Sequence, residues 1–186
     1  MPPKVKTTKE AIVDAAVKIV QRDGPQALNA RTVAAALGCS TQPVFSNFAT
    51  MQELSLAVVA QADALYRDYI KKEIENDLYP AYKAAGMAYI RFAKEEKALF
   101  QLLYMRDRAE EDPRAELEIG NEMEAVIQKN TGLDRQQVKL FHLEMWACVH
   151  GIATMFATGF VDLPWELVSS MLTDVYQGLR KRYGLE

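Results

Sequence analysis

The chain has 186 residues, 49% apolar and 25% charged. That is enough for one domain, or for a small one joined to a larger one, with a real core. A net charge of −3 argues, taken alone, against a nucleic-acid binder, and two cysteines, Cys39 and Cys148, make no disulfide framework and suit a reducing cytoplasm. The N-terminal residues lack the continuous apolar run of a signal peptide. The longest uncharged run, Met145 to Val161, falls short of a membrane span and contains His150 and two glycines, so a buried or interface helix and no membrane partner are expected.

Helical periodicity runs through the chain and strand-like alternation is nearly absent. Thr7 and Glu10 form a capping-box pattern ahead of a stripe of Ile12, Ala15, Ala16, Ile19 and Val20, which Gly24 ends. Asn29 is positioned to cap a short second helix with Val33, Ala36 and Leu37 inward, stopped by Gly38. Ser40 is expected to cap a third, with Val44 and Phe48 inside, and Thr50 with Glu53 to open a long helix from Met51 to about Asn76. Further helices are expected over Ala81 to about Lys94, Lys97 to Met105, Ala115 to Lys129, Asp134 to about Thr158, and Pro164 to about Arg182, with a charged loop over 106–113. The fold class is all-α with about nine helices.

Charge is unevenly shared. Residues 1–50 hold six bases and three acids, a net of +3, and residues 51–186 a net of −6. A basic head on an acidic body suggests a polyanionic partner for the head. Between the second and third helices lies "GCSTQPVFSNF" (38–48), with neither acid nor base. Ala34 is small enough for a close helix crossing, Gly38 takes positive φ cheaply, and Val44 anchors the second helix, which together make a helix-turn-helix pattern. Such a motif offers the N-terminal residues of its second helix to base edges. Here these are Thr41, Gln42 and Pro43, then Ser46 and Asn47, preceded by Ser40. Gln and Asn pair two-pronged with adenine, and Thr and Pro contact a thymine methyl. A lysine arm of Lys4, Lys6 and Lys9 would reach phosphate.

The stretch "ALNARTVAAALGCSTQPVFSNFATMQEL" (27–54) resembles the helix-turn-helix of TetR-type transcriptional regulators, and "WACVHG" (146–151) is similar to a Trp–x3–His–Gly block in the ligand domain of one branch of that family. The family usually has a phosphate-holding Tyr where this chain has Phe45, still a candidate DNA contact by its position, and a Lys near Met51. Phosphate contacts are therefore expected from Arg31, Thr32, Ser46, Asn47, backbone N–H groups and the lysine arm. The resemblance implies a DNA-binding domain over residues 1–50, its recognition motif at about 31–50, and a helical ligand-binding and dimerisation domain over 51–186.

For the body, Met87, Phe100, Tyr104, Met105, Met123, His142, Met145, Trp146 and His150 are candidate effector contacts, since methionines and aromatics line adaptable apolar pockets. Plain core packing is the competing reading for each. Ala147, Gly151, Ile152, Met155 and Phe156 on the eighth helix, with Leu167, Met171, Val175 and Leu179 on the last, are candidates for a four-helix dimer interface. No catalytic constellation, metal site or cofactor motif stands out: His142 with Glu144 or Cys148 is a poor metal set, and no glycine-rich phosphate loop or activated-serine elbow occurs. The expected protein is a cytoplasmic homodimeric regulator, a repressor released from a palindromic duplex operator by a small apolar or aromatic effector. Two alternatives stay open: a helix-turn-helix regulator whose body binds a protein, and an all-α enzyme or carrier with an incidental motif.

Overall fold

The computed structural model describes residues 7–106 and 114–185, with the backbone alone for 114–121. Its elements are α1 (Lys9–Asp23), a 3-10 turn (Pro25–Ala27), α2 (Ala30–Ala36), α3 (Gln42–Asn47), α4 (Met51–Glu75), α5 (Ala81–Glu95), α6 (Lys97–Tyr104), α7 (Arg114–Thr131), α8 (Arg135–Ala157) and α9 (Trp165–Arg182). All nine expected helices are present, and the described residues contain no strand. Most of the expected loop at 106–113 lies outside the described residues.

Helix starts follow side-chain capping, with shifts of register. The cap of α1 is Thr8 rather than Thr7: its Oγ1 accepts from the Ala11 N–H at 3.2 Å. Asn29 caps α2 as expected, accepting from the N–H groups of Arg31 and Thr32, while the Thr32 hydroxyl accepts from the Asn29 N–H. Asp134 forms the same reciprocal box with Gln137 at the start of α8. In α3 the cap position falls on Thr41, not Ser40, and no side chain bonds there; Pro43 then occupies the first turn, where its missing N–H costs nothing.

The chain packs as two units. The first takes α1, α2, α3, α4 as far as Arg67, and Glu96–Arg106 with α6; the second takes α4 from Asp68, α5, and α7 to α9. The division by packing runs through α4, at Arg67. The reason is a buried stripe of Leu54, Val58, Ala62 and Tyr66, four residues apart, which commits the first half of α4 to the head core. That core adds Ile12, Ala16, Ile19 and Val20 from α1, Val33 and Ala34 from α2, Val44 and Phe48 around α3, and Leu99 and Phe100 from α6. Ala36, expected inward, is exposed, and Ala30 and Ala34 take the inner face of α2 with Val33.

In the second unit α8 packs on α5, α7 and α9. Ile127, Leu133, Val138, Phe141 and Met145 form a buried cluster against which Tyr82, Val175, Tyr176, Leu179 and Tyr183 rest. A Cβ at Gly86 would lie 3.4 Å from both Val149 and Leu172, so the glycine lets α5 approach α8 and α9 closely. The Arg91 Nε donates to buried Glu73 at 3.2 Å, and the Arg91 guanidinium lies 4.7 Å from the Trp165 ring centre, tying the end of α4 to α5 and α9.

The α2–α3 connection turns on Gly38. Its φ is +63°, its N–H donates to the Ala35 carbonyl, and the Cys39 N–H donates to the Ala34 carbonyl. These two bonds satisfy the last carbonyls of α2 and set the exit direction of the chain. Gly38→Ala should cost about 1–2 kcal/mol, since nothing obstructs the new methyl and the left-handed backbone supplies the whole penalty. Urea denaturation of both proteins checks this, and Gly38→Asn should lose less.

Candidate nucleic-acid interface and effector face

α3 is held to the head by Val44 and Phe48, both buried, which leaves the opposite side outward. Gln42, Phe45 and Ser46 are exposed there, Thr41 and Pro43 are half-buried, and Ser40 is exposed just before them. Thr41 and Phe45 line a shallow groove with Asn29, Ala30 and exposed Arg31. The outward face therefore carries one guanidinium, one free carboxamide, small hydroxyls and one aromatic ring, with no carboxylate from residue 38 to 48.

Three expected contacts are turned to internal work. The Thr32 hydroxyl donates back to the Ala27 and Asn29 carbonyls while completing the α2 cap. The Ser46 hydroxyl donates to the Gln42 carbonyl at 2.9 Å, which leaves its lone pairs but not its proton for a partner. The Asn47 amide donates to the Pro43 carbonyl at 2.8 Å and reaches the Thr7 carbonyl at 3.4 Å, so Asn47 fastens α3 to the chain entering α1. In each case a nearby carbonyl competes successfully for the donor. Lys9 is likewise engaged: its Nζ lies 3.3 Å from Glu53 Oε1 and 4.7 Å from the Phe48 ring centre. The Ala49 N–H first, and Lys9 second, hold the Glu53 carboxyl below its ordinary range. Lys4 and Lys6 lie outside the described residues.

The effector candidates divide between the units. Phe100, Tyr104 and Met105 belong to the first, where Phe100 is core, Tyr104 stands edge-on to Tyr66 with ring centres 6.2 Å apart, and Met105 is exposed. Met87, Met123, His142, Met145, Trp146 and His150 belong to the second. Met87 and Met145 are buried in its core, and Met123 is half-buried.

The polar centre of the second unit is a pair of Tyr–His contacts. The Tyr82 hydroxyl lies 3.0 Å from His142 Nδ1, and the Tyr89 hydroxyl 2.9 Å from His150 Nδ1. Both partner numbers rise together along α5 and α8, so the two helices run parallel here, over about 10–12 Å at 1.5 Å per residue. Burial holds the Tyr82 phenol well above its usual range, which keeps it protonated. Burial also lowers the His142 imidazole, against a smaller opposing pull from Glu124, which favours the neutral ring; the tautomer sets which partner donates. Trp146 stacks on His150 with ring centres 4.7 Å apart and planes 15° apart, and is 41% exposed. An indole, two imidazoles and two phenols are thus strung along about two turns of α8, groups of the kind that contact aromatic molecules with one or two polar atoms. Sequence reading missed Tyr82; its signal was the seven-residue spacing from Tyr89, matched to the eight between the histidines. Burial raises the Cys148 thiol, which disfavours its thiolate.

Of the residues expected at a dimer interface, Ile152 and Phe156 are buried within the single chain, and Val175 and Leu179 pack on its core, because they share the inward side of α8 and α9. Ala147, Met155 and Leu167 are exposed and Met171 half-buried. A Cβ at Gly151 would meet nothing within 4 Å. With exposed Leu140 and Leu143 these leave an apolar outer stripe on α8. α8 is long and apolar enough to cross a membrane by length and composition, and its inner side is spent on this unit's core.

Residues 82–175 match the family model of the tetracyclin repressor-like C-terminal domain. The chain belongs to the tetracyclin repressor-like, or TetR-type, family. No curated protein matches it in sequence. Among solved structures, a protein of unknown function from Rhodococcus sp. RHA1 is similar over 97% of this chain and 98% of its own, with 19% identity and a TM-score of 0.72. A TetR-like transcriptional regulator from the same organism covers 96% of this chain and 97% of its own, at 15% identity and a TM-score of 0.68. The multidrug binding protein EbrR, in complex with imidazole, covers 90% and 93%, at 18% identity and a TM-score of 0.57. These likenesses establish that the TetR-type fold spans both units of the chain.

Burial around His142 disfavours its charged form in the folded state. The folded chain resists protonation of this ring, so the unfolded chain takes the proton first. Its contribution to stability is intact above the ordinary imidazole value of 6.5 and declines as pH falls through it. Denaturation midpoints measured from pH 7.5 to 5 should fall in the wild type, and less steeply in His142→Gln.

Proposed function

We propose that this TetR-type protein is a transcriptional repressor that binds a palindromic duplex operator as a cytoplasmic homodimer and is released by a small aromatic or apolar effector. The observation that carries this reading is the outward face of α3: free of acids, anchored from behind by Val44 and Phe48, and aimed by the Gly38 turn. Gln42 is the base reader, with Thr41 and Pro43 beside it, and Arg31 supplies charge to the phosphate backbone. Lys4 and Lys6 add counterion-releasing contacts from the N-terminal arm.

The outer stripe of α8 with Leu167 and Met171 of α9 forms the two-fold interface, and the Trp146–His150 stack supports membership of the branch with the Trp–x3–His–Gly block. An aromatic effector displaces or extends that stack and engages the Tyr82–His142 and Tyr89–His150 pairs. α4 contributes residues to both units. An effector that favours a different placing of its second half therefore changes the head spacing on the operator, and with it the affinity.

The deciding experiment is selection of DNA fragments from a random pool by the pure protein, followed by titration at several salt concentrations. Enrichment of an inverted repeat, with affinity falling steeply as salt rises, is expected; recovery of no sequence would overturn the reading. On the selected operator, Gln42→Ala should cost about 1–3 kcal/mol and relax preference at one step, with little change on random DNA. Gly151→Leu should leave the protomer folded, because its side chain enters open space, yet give a monomer by light scattering with weakened operator binding.

A further inference from the structure

Among the described residues ahead of α4, Phe45 is the one large apolar side chain left exposed, at 51%. It shares the outer face of α3 with Gln42, three residues before it, and Ser46, one after, and it borders the groove with Arg31 and Thr41. A phenylalanine has no hydroxyl to give a phosphate, so backbone contact does not account for a ring in this place. The major groove holds one apolar feature that a ring there would match: the 5-methyl group of thymine. Every other edge in that groove presents a donor or an acceptor, against which an apolar ring is desolvated without return. The charge of the surroundings fits a duplex as occupant, since residues 1–50 carry a net of +3 and the stretch 38–48 no acid.

We infer that Phe45 is a specificity-determining residue that packs on a thymine methyl in each operator half-site, beside the base step read by Gln42. This rests on the DNA-binding reading above and names what one position of the site must be. The adjacent polar reader and apolar reader together favour an A·T-containing step, the glutamine taking the adenine edge and the ring the methyl.

The test replaces each thymine of the selected operator in turn by deoxyuridine, which removes the methyl and preserves base pairing. Wild type should lose about fourfold in affinity at one thymine per half-site, the value of burying one methyl-sized group. Phe45→Ala should bind thymine and uracil at that position equally, while Phe45→Leu retains part of the difference. Circular dichroism checks that these exposed-site variants stay folded. Equal wild-type binding to every uracil-substituted operator overturns the inference, and so does a methyl effect that survives in Phe45→Ala, which would assign the contact to Thr41 or Pro43. Failure to select any operator instead overturns the regulatory reading itself, so the two failures are told apart.

Discussion

The left-handed turn at Gly38 is the constraint on which the outward face of α3 depends. α2 must end within two residues, and its last carbonyls must be satisfied there. The Gly38 and Cys39 N–H groups do this, and the exit direction of the chain then follows from a φ of +63°. Val44 and Phe48 convert that direction into a fixed rotation of α3, because both must be buried. The rotation leaves Gln42, Phe45 and Ser46 outward. A change in the turn would therefore re-aim the whole outer face.

Polar side chains around this turn are worked in two ways. Asn29, Thr32 and Asn47 spend their donors on nearby carbonyls and fasten α2 and α3 in place. Gln42 and Arg31 remain outward. The division follows local geometry: short side chains reach their own backbone, while longer ones extend beyond it. The polar part of the outward face is consequently smaller than its count of hydroxyl and amide groups suggests, and the aromatic ring of Phe45 occupies a larger share of that face.

In the second unit the comparable constraint is the close packing of α5 on α8. Gly86 permits the approach, and the two Tyr–His contacts satisfy polar groups that this burial would otherwise leave unpaired. At the Tyr82–His142 contact burial favours the neutral imidazole and the protonated phenol. Trp146, stacked on His150 and partly exposed, is where that interior polar set reaches the surface.

By itself the sequence determined the helical class, the order of the helices, most of their ends, and the helix-turn-helix, because these rest on local periodicity, capping and one glycine. Asn29, Asp134 and Gly38 act where short-range rules place them. Cap positions slipped by one where two hydroxyl residues adjoin, as at Thr7 and Thr8, since either can supply the acceptor. Only the tertiary structure decided that the first half of α4 and all of α6 belong with the head, that Ile152 and Phe156 face inward, and that Tyr82 meets His142 across 60 positions of chain. An apolar stripe says that a helix buries one side, and not against what. That choice is made by how whole helices fit together, at sequence separations no local pattern encodes.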